Sequence, residues 1–204
     1  MRTVLYALFG YISGSVLYAK IFMKLCNKEE LIEESKDKNP GTANAFMYGG
    51  MTCGIMTLIC ELLKGIIPVH MYINGATPQE MRIIPMAIVL TMPVVGHVCS
   101  VFDNFNGGKG IAVTFGCLLG LAPDIRAAII LALFFIFYSL IFRVSPHFYR
   151  TIVTYVSTMV GLFLLNENQA VNIGFLFITL VVLVRLHQST EIREKLRIKL
   201  LWMR

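Results

Sequence analysis

The chain has 204 residues, of which 56% are hydrophobic and 15% are charged. Soluble domains carry about 25% charged residues, so this composition excludes an ordinary soluble domain. It predicts one membrane-embedded domain over residues 1–204. The net charge of +6 does not indicate a nucleic-acid partner, because basic residues of membrane proteins collect beside cytoplasmic span ends. The five cysteines and four histidines lack metal-ligand spacing, so we expect neither a metal nor a cofactor.

Seven apolar segments follow one another along the chain. They predict an all-α, multi-pass membrane bundle of about seven transmembrane helices. A full span needs about 20 residues, so the short fourth segment is a half-span or a steeply placed helix. The approximate bounds of the segments are 3–25, 51–73, 82–102, 110–122, 125–142, 149–165 and 171–186.

Basic residues are unequally distributed between the two sets of loops that this segmentation defines. Most of the 18 lysines and arginines fall on one side, and only Arg2, Arg82 and Arg126 fall on the other. The bias predicts an amino terminus outside and a carboxyl terminus in the cytoplasm. It also places the glycine-rich and asparagine-rich loops on the cytoplasmic face. An enzyme for a cytosolic substrate gathers its polar groups there, whereas a transporter places them near the bilayer midplane.

The most informative polar stretch is a glycine-rich turn between the third and fourth apolar segments. Gly107, Gly108 and Gly110 lack a Cβ atom, so the turn can adopt positive φ and its backbone N–H groups can converge on an anion. A helix that starts near Gly110 would add its positive dipole end, and Lys109 adds a full charge. The stretch is not a Walker A motif, because Lys109 is followed by glycine. It therefore predicts either a phosphate site or a plain turn.

Three ionisable residues of the second and third apolar segments are candidates for the site. Glu61 and Lys64 are three residues apart and therefore share one helix face. Charges within a span need a partner or a polar cavity, so the two form an internal ion pair or line a substrate cavity. His97 lies at a membrane edge near the glycine turn, where it is either a structural group or a catalyst. Ser15 and the glycines before it predict close helix packing, or a place in the same cavity.

A second polar motif precedes the second apolar segment. In the run Asn39-Pro40-Gly41-Thr42-Ala43-Asn44, proline and glycine end a helix, and short side chains offer hydrogen bonds. Asn44 caps the following helix on one interpretation. On the other, Asn39 and Asn44 bind a substrate.

Three segments together are similar to a known family. N-P-G-T-A-N at 39–44, E-L-L-K-G-I-I-P-V at 61–69 and G-H-x-x-x-x-F-x-x-F-x-G-G-K-G-I-A at 96–112 resemble the motifs of bacterial integral-membrane glycerol-3-phosphate acyltransferases that use acyl phosphate. The resemblance implies transfer of a fatty acyl group from acyl phosphate to the first hydroxyl of glycerol 3-phosphate, giving lysophosphatidic acid and phosphate. It also implies a multi-pass protein in the lipid bilayer of the bacterial plasma membrane, with its active site on the cytoplasmic side.

The resemblance also assigns candidate roles to residues. As catalytic residues it implies His97, Lys109 and His187. It implies that substrate phosphate is bound by Asn39, Gly41, Asn44, Gly107, Gly108 and Gly110, and that Ser15, Glu61 and Lys64 line the cavity. Lys36 and Lys38, which the family pattern does not contain, are further candidates for binding substrate phosphate. His97, His187 or the leaving phosphate itself accepts the hydroxyl proton.

The chain departs from the family pattern on the acceptor side. Lys36-Asp37-Lys38 replaces a glycine-serine-glycine run, and Met47 and Tyr48 occupy a region where the family has an arginine. Lys36 and Lys38 are the candidate replacements for that arginine. The departures leave three alternatives open: the same chemistry with another hydroxyl acceptor, a small-anion transporter, or a non-catalytic relative.

Overall fold

The computed structural model describes residues 1–28, 39–165, 168–189 and 195–201, and helices dominate them. Helices follow the apolar segments because only a helix satisfies all backbone hydrogen bonds of a single segment within lipid. The helices are α1 Arg2–Ser15, α2 Tyr18–Leu25, α3 Thr42–Asn44, α4 Met51–Ile73, α5 Ile83–Val98, α6 Ile111–Leu119, α7 Arg126–Ile136, α8 His147–Leu165 and α9 Gln169–Gln188. The strands are β1 Phe142–Ser145 and β2 Arg197–Leu200.

Within these described ranges, five helical stretches are long and apolar enough to cross a membrane. The predicted multi-pass helical membrane protein is therefore confirmed. The predicted fourth segment is the nine-residue α6, and the fifth is a shorter apolar helix over Arg126–Ile141. The five long stretches are Arg2–Leu25, Met51–Ile73, Ile83–Asp103, His147–Leu165 and Gln169–Gln188.

The first predicted span is divided into two helices. Val16 follows α1 in an extended conformation, with φ −72° and ψ 117°, and α2 starts at Tyr18. The break frees backbone groups that a continuous helix would pair internally. The apolar sequence around Val16 gives no sign of the break, because the hydrogen-bond partners of the freed backbone groups come from α4.

Small residues bring the helices into close contact. A Cβ atom at Gly14 would overlap the Pro93 carbonyl of α5, and one at Gly65 of α4 would lie 2.7 Å from the backbone nitrogen of Cys117 in α6. A Cβ at Gly116 would in turn overlap the carbonyl of Leu62. The predicted role of small residues in close helix packing is confirmed for Gly14.

The all-α prediction needs one correction, because β1 and β2 form a two-stranded antiparallel ribbon. Arg143 lies opposite Lys199, and Ser145 lies opposite Arg197. Strands of four residues leave little periodicity in a sequence. The predicted fifth segment, 125–142, therefore runs one residue into β1.

Candidate active site at a buried charge cluster and a glycine turn

Glu61 and Lys64 form an ion pair inside the helix bundle. They lie one turn apart on α4, and their side chains are each 1% exposed, with 2.9 Å between Glu61 Oε2 and Lys64 Nζ. Burial removes the water that would otherwise solvate the charges, so each needs the other. The ion-pair interpretation of these two residues is the one that the structure shows.

The same pair closes the break between α1 and α2. Lys64 Nζ donates to the Val16 carbonyl at 2.5 Å, and the Tyr18 backbone N–H donates to Glu61 Oε1 at 3.2 Å. Each charged side chain therefore satisfies one backbone group that the break leaves unpaired. The backbone groups at the break in turn give the two buried charges polar partners in place of water.

His97 completes the cluster from the last turn of α5. Its Nδ1 atom lies 2.9 Å from Lys64 Nζ and 3.1 Å from Glu61 Oε2. The residue is 4% exposed, and the Nε2 side of its ring faces the Cα of Gly108, where a Cβ atom would overlap it. His97 thus joins the buried charge cluster, defined here as Glu61, Lys64 and His97, to the glycine turn.

The glycines of the turn serve different purposes. Only Gly110 has positive φ, at 80°, and it is the N-cap of α6. Gly107 and Gly108 instead allow a close approach: their N–H groups donate to the carbonyls of Val98 at 3.0 Å and His97 at 3.1 Å. The prediction of an anion nest is therefore corrected at these two positions, because their N–H groups already have acceptors.

Lys109 lies in the turn immediately before Gly110 and is 8% exposed. It is placed at the N-terminal end of α6, where the unpaired N–H groups and the helix dipole favour an anion. The prediction that a helix starts near Gly110 is confirmed, since α6 begins at Ile111.

Sequence reasoning missed Arg185 as a site residue. It lies in the last turn of α9, and its Nη2 donates to the Gly107 carbonyl at 2.5 Å. In the sequence it lies at the end of the last apolar segment and is the first of the basic residues that continue into the tail, which hides it among tail charges. The signal that could have identified Arg185 is its position within the apolar periodicity of the last segment.

Both the hydroxyl and the carbonyl of Ser15, at the end of α1, are hydrogen-bonded within the protein. Its hydroxyl donates to the Tyr11 carbonyl at 2.8 Å, and its own carbonyl accepts from the Ser100 hydroxyl at 2.5 Å. Lys20 pairs with Asp103 at 2.6 Å. These contacts anchor the segment before the glycine turn to the broken first span.

The remaining predicted site residues fall into two groups. The Asn44 side-chain amide donates to the Asn39 carbonyl at 2.9 Å, and the Gly41 N–H donates to the same carbonyl at 2.8 Å. These three residues therefore share one turn, and Gly50 rather than Asn44 is the N-cap of α4. His187 is exposed at the end of α9. Lys36 and Lys38 lie outside the described residues.

A cavity opens at the other end of the bundle. Ile73, Leu121 and Asn168 line it, together with the start of α7. These residues lie at the C-terminal ends of α4 and α6 and before α9, whereas the glycine turn joins the C-terminal end of α5 to α6. The cavity therefore does not border the charge cluster.

Comparison with known proteins identifies the family. A family model described as glycerol-3-phosphate acyltransferase matches residues 4–195. A protein of that description from Albidiferax ferrireducens is 36% identical over 138 residues, which are 65% of this chain and 61% of the relative. One from Hydrogenobaculum sp. is 30% identical over 164 residues, covering 80% and 78%. One from Legionella pneumophila (strain Corby) is 39% identical over 113 residues, and the match spans only 39% of its length.

Solved structures share the fold. Two crystal structures of PlsY, an integral membrane glycerol 3-phosphate acyltransferase, superpose with TM-scores of 0.74 for the lysophosphatidic acid form and 0.76 for the glycerol 3-phosphate form. Each covers 92% of this chain at 22% identity. The family match includes the buried charge cluster, the glycine turn and Arg185, so this chain belongs to the glycerol-3-phosphate acyltransferase family.

Proposed function

We propose that this protein transfers a fatty acyl group from acyl phosphate to the first hydroxyl of glycerol 3-phosphate. The products are lysophosphatidic acid and inorganic phosphate. The observation that carries the proposal is the convergence of Lys109, His97 and the Glu61–Lys64 pair at one glycine turn, in a chain of this family.

The donor phosphate binds at Lys109 and Gly110. Lys109 supplies the charge, and the N-terminal end of α6 supplies backbone N–H groups beyond Gly110. As the acyl–oxygen bond breaks, negative charge grows on the leaving phosphate, and a cation held in a preorganised turn stabilises it. Gly107 and Gly108 contribute by packing the turn against His97 rather than by donating to the anion.

The acceptor binds on the side of the asparagine-rich turn. Asn39, Gly41 and Asn44 position its oxygens, and Lys36 and Lys38 pair with its phosphate. A lysine is a point charge without the bidentate fork of arginine. We therefore expect weaker discrimination between phosphate-bearing acceptors than an arginine would give.

The reaction needs no covalent enzyme intermediate. The hydroxyl oxygen of the acceptor attacks the acyl carbonyl carbon, the carbon–oxygen bond to phosphate breaks, and the phosphate leaves with the electron pair. We propose that the leaving phosphate takes the hydroxyl proton. His97 is buried against Gly108 and positions the turn, whereas His187 is exposed and is the protein's candidate base.

The membrane arrangement is part of the same proposal. We place all seven apolar segments in the bacterial plasma membrane, with the amino terminus outside and the carboxyl terminus in the cytoplasm. The inside excess of lysine and arginine supports this orientation. The glycine turn then faces the cytoplasm, where a soluble phosphate ester reaches it.

The test is product formation by the purified protein in lipid. Palmitoyl phosphate and radiolabelled glycerol 3-phosphate should give labelled lysophosphatidic acid, and palmitoyl-coenzyme A in place of the acyl phosphate should give none. Consumption of acyl phosphate without labelled product would show that the acceptor is a molecule other than glycerol 3-phosphate. No consumption of either substrate would overturn the proposed activity. The matched control is Gly161→Ala, a substitution within α8 away from the glycine turn.

A further inference from the structure

The ribbon of β1 and β2 has one basic face. Residues directly opposite in an antiparallel pair project to the same side, so Arg143 and Lys199 share a face with Ser145 and Arg197. Val144 projects to the other side and is 2% exposed. Val144 of β1 packs on the protein, and the opposite side, which carries the three exposed cations, faces outward.

The three charged residues of this face are all positive. Within the part of the chain that the structure describes, no carboxylate forms a salt bridge with Arg143, Arg197 or Lys199. Arg150, at the start of α8, lies close enough to Arg143 for the two guanidinium groups to repel each other. Like charges directly opposite across two strands also destabilise the pair. The arrangement therefore favours anions from outside the protein.

The ribbon lies at the glycine-turn end of the bundle. Arg185 places the C-terminal end of α9 beside Gly107. Only residues 166–168 join α8 to α9, so the two helices run in opposite directions and α8 begins at that same end. Strand β1 ends two residues before α8 begins. The basic face is therefore located where membrane-spanning helices emerge from the bilayer.

Apolar side chains of and around β2 fit the same location. Ile198 lies opposite Val144 and therefore projects to the side away from the cations, but on the outer strand it remains 52% exposed. Leu196 and Leu201, which flank β2, are 51% and 61% exposed. Exposed apolar side chains near cations are typical of a surface at the level of the lipid headgroups. There the apolar side chains contact acyl chains and the cations contact phosphates. A soluble anion would account for the cations but not for these side chains.

We propose that the basic face of the ribbon, with Arg143, Arg197 and Lys199, binds the headgroups of acidic phospholipids at the membrane surface. Basic residues beside a span are attracted to an anionic leaflet, and the attraction falls with salt. Neutral phospholipid would leave the cations without net countercharge. This inference does not depend on acyl transfer, and its test uses no activity measurement.

The sequence contains a built-in reporter for the test. Its single tryptophan, Trp202, directly follows Leu201. The full-length protein is reconstituted in mixed phosphatidylglycerol and phosphatidylcholine vesicles, with bromine on the chains of one lipid or the other. Brominated phosphatidylglycerol should quench tryptophan fluorescence at least twofold more than brominated phosphatidylcholine. The difference should disappear at about 0.5 M salt, where surface charges are screened.

A double variant and a matched control assign the effect to the ribbon. Arg143→Gln with Lys199→Gln should lose most of the preference, because each surface charge contributes roughly fivefold at low salt. The control, Arg82→Gln with Arg126→Gln, removes two exposed cations at the other end of the bundle. It should retain the preference for phosphatidylglycerol. Equal quenching by the two lipids, a preference unchanged in the ribbon variant, or no quenching by either lipid would each overturn the proposal.

Discussion

The protein holds its charges in two contrasting settings. In the buried charge cluster, Glu61, Lys64 and His97 lie within 3.1 Å of one another or closer, and each is at most 4% exposed. In the ribbon, Arg143 and Lys199 are exposed, and no described carboxylate pairs with them. Charges that compensate one another internally fix a structure. Charges of one sign left at a membrane surface are attracted to an anionic leaflet.

The glycine turn lies next to the first setting and takes its shape from it. His97 contacts the ion pair through Nδ1 and Gly108 through the other side of its ring. Lys109 is therefore carried by a turn whose position depends on a buried ion pair that no substrate needs to touch.

The largest expected effect comes from removing one charge of the pair. Glu61→Gln should lower the free energy of unfolding by about 3 to 5 kcal/mol, because it leaves Lys64 buried without a counter-charge. Unfolding midpoints in detergent measure the change. Glu61→Gln combined with Lys64→Met removes both charges and should recover much of the loss. A single variant as stable as the wild type would show that the pair does not hold the helix break.

The glycine turn should show graded sensitivity to a single methyl group. Gly107→Ala should abolish product formation, because its Cβ would overlap the His97 carbonyl. Gly110→Ala should be milder, costing about 1 to 2 kcal/mol for a side chain at positive φ, with a Cβ 3.0 Å from Val94 Cγ1. Kinetics of the two variants beside Gly161→Ala give the ranking. The reverse order would contradict the close-approach role of Gly107.

Arg185 should show an intermediate effect. Its bond to the Gly107 carbonyl is a hydrogen bond from a charged donor, which is worth about 1.5 to 3 kcal/mol. Arg185→Gln should therefore lower kcat roughly tenfold or more while the protein stays folded. Arg185→Lys keeps the charge and tests geometry alone. If both variants retain full turnover, the contact does not position the turn.

Much of this organisation could be predicted from the sequence, because apolar length and glycine content are local properties. The apolar segments, the role of Gly14 in packing and the start of α6 near Gly110 follow from such patterns. The same spacing rule placed Glu61 and Lys64 on one helix face. The sequence left open whether they pair, and the structure shows the ion pair.

The rest depends on contacts between distant parts of the chain. Lys64 and Glu61 supply the hydrogen-bond partners of the backbone groups at the Val16 break. No residue near Val16 predicts the break. Arg185 reaches Gly107 across 78 positions of sequence. The β1–β2 ribbon joins two charged stretches that read separately as a loop and a tail. Such long-range pairings leave no periodic signal in a single sequence.

The smallest effect on stability is expected in the ribbon. Arg143→Gln with Lys199→Gln should change the free energy of unfolding by no more than about 0.5 kcal/mol, and should raise it if anything, because two facing like charges are removed. Unfolding midpoints in neutral detergent measure this. A large loss would mean that the ribbon cations stabilise the fold, and would erase the contrast with the buried cluster.

The most direct measurement of the central claim is turnover by a Lys109→Met variant, which keeps most of the side-chain bulk and removes its charge. With palmitoyl phosphate and labelled glycerol 3-phosphate, we predict that kcat falls at least about 100-fold. The unfolding midpoint should remain close to that of the wild type, and Lys109→Gln should behave alike. Substantial turnover by a folded Lys109→Met protein would contradict the assignment of the glycine turn as the site of phosphate chemistry.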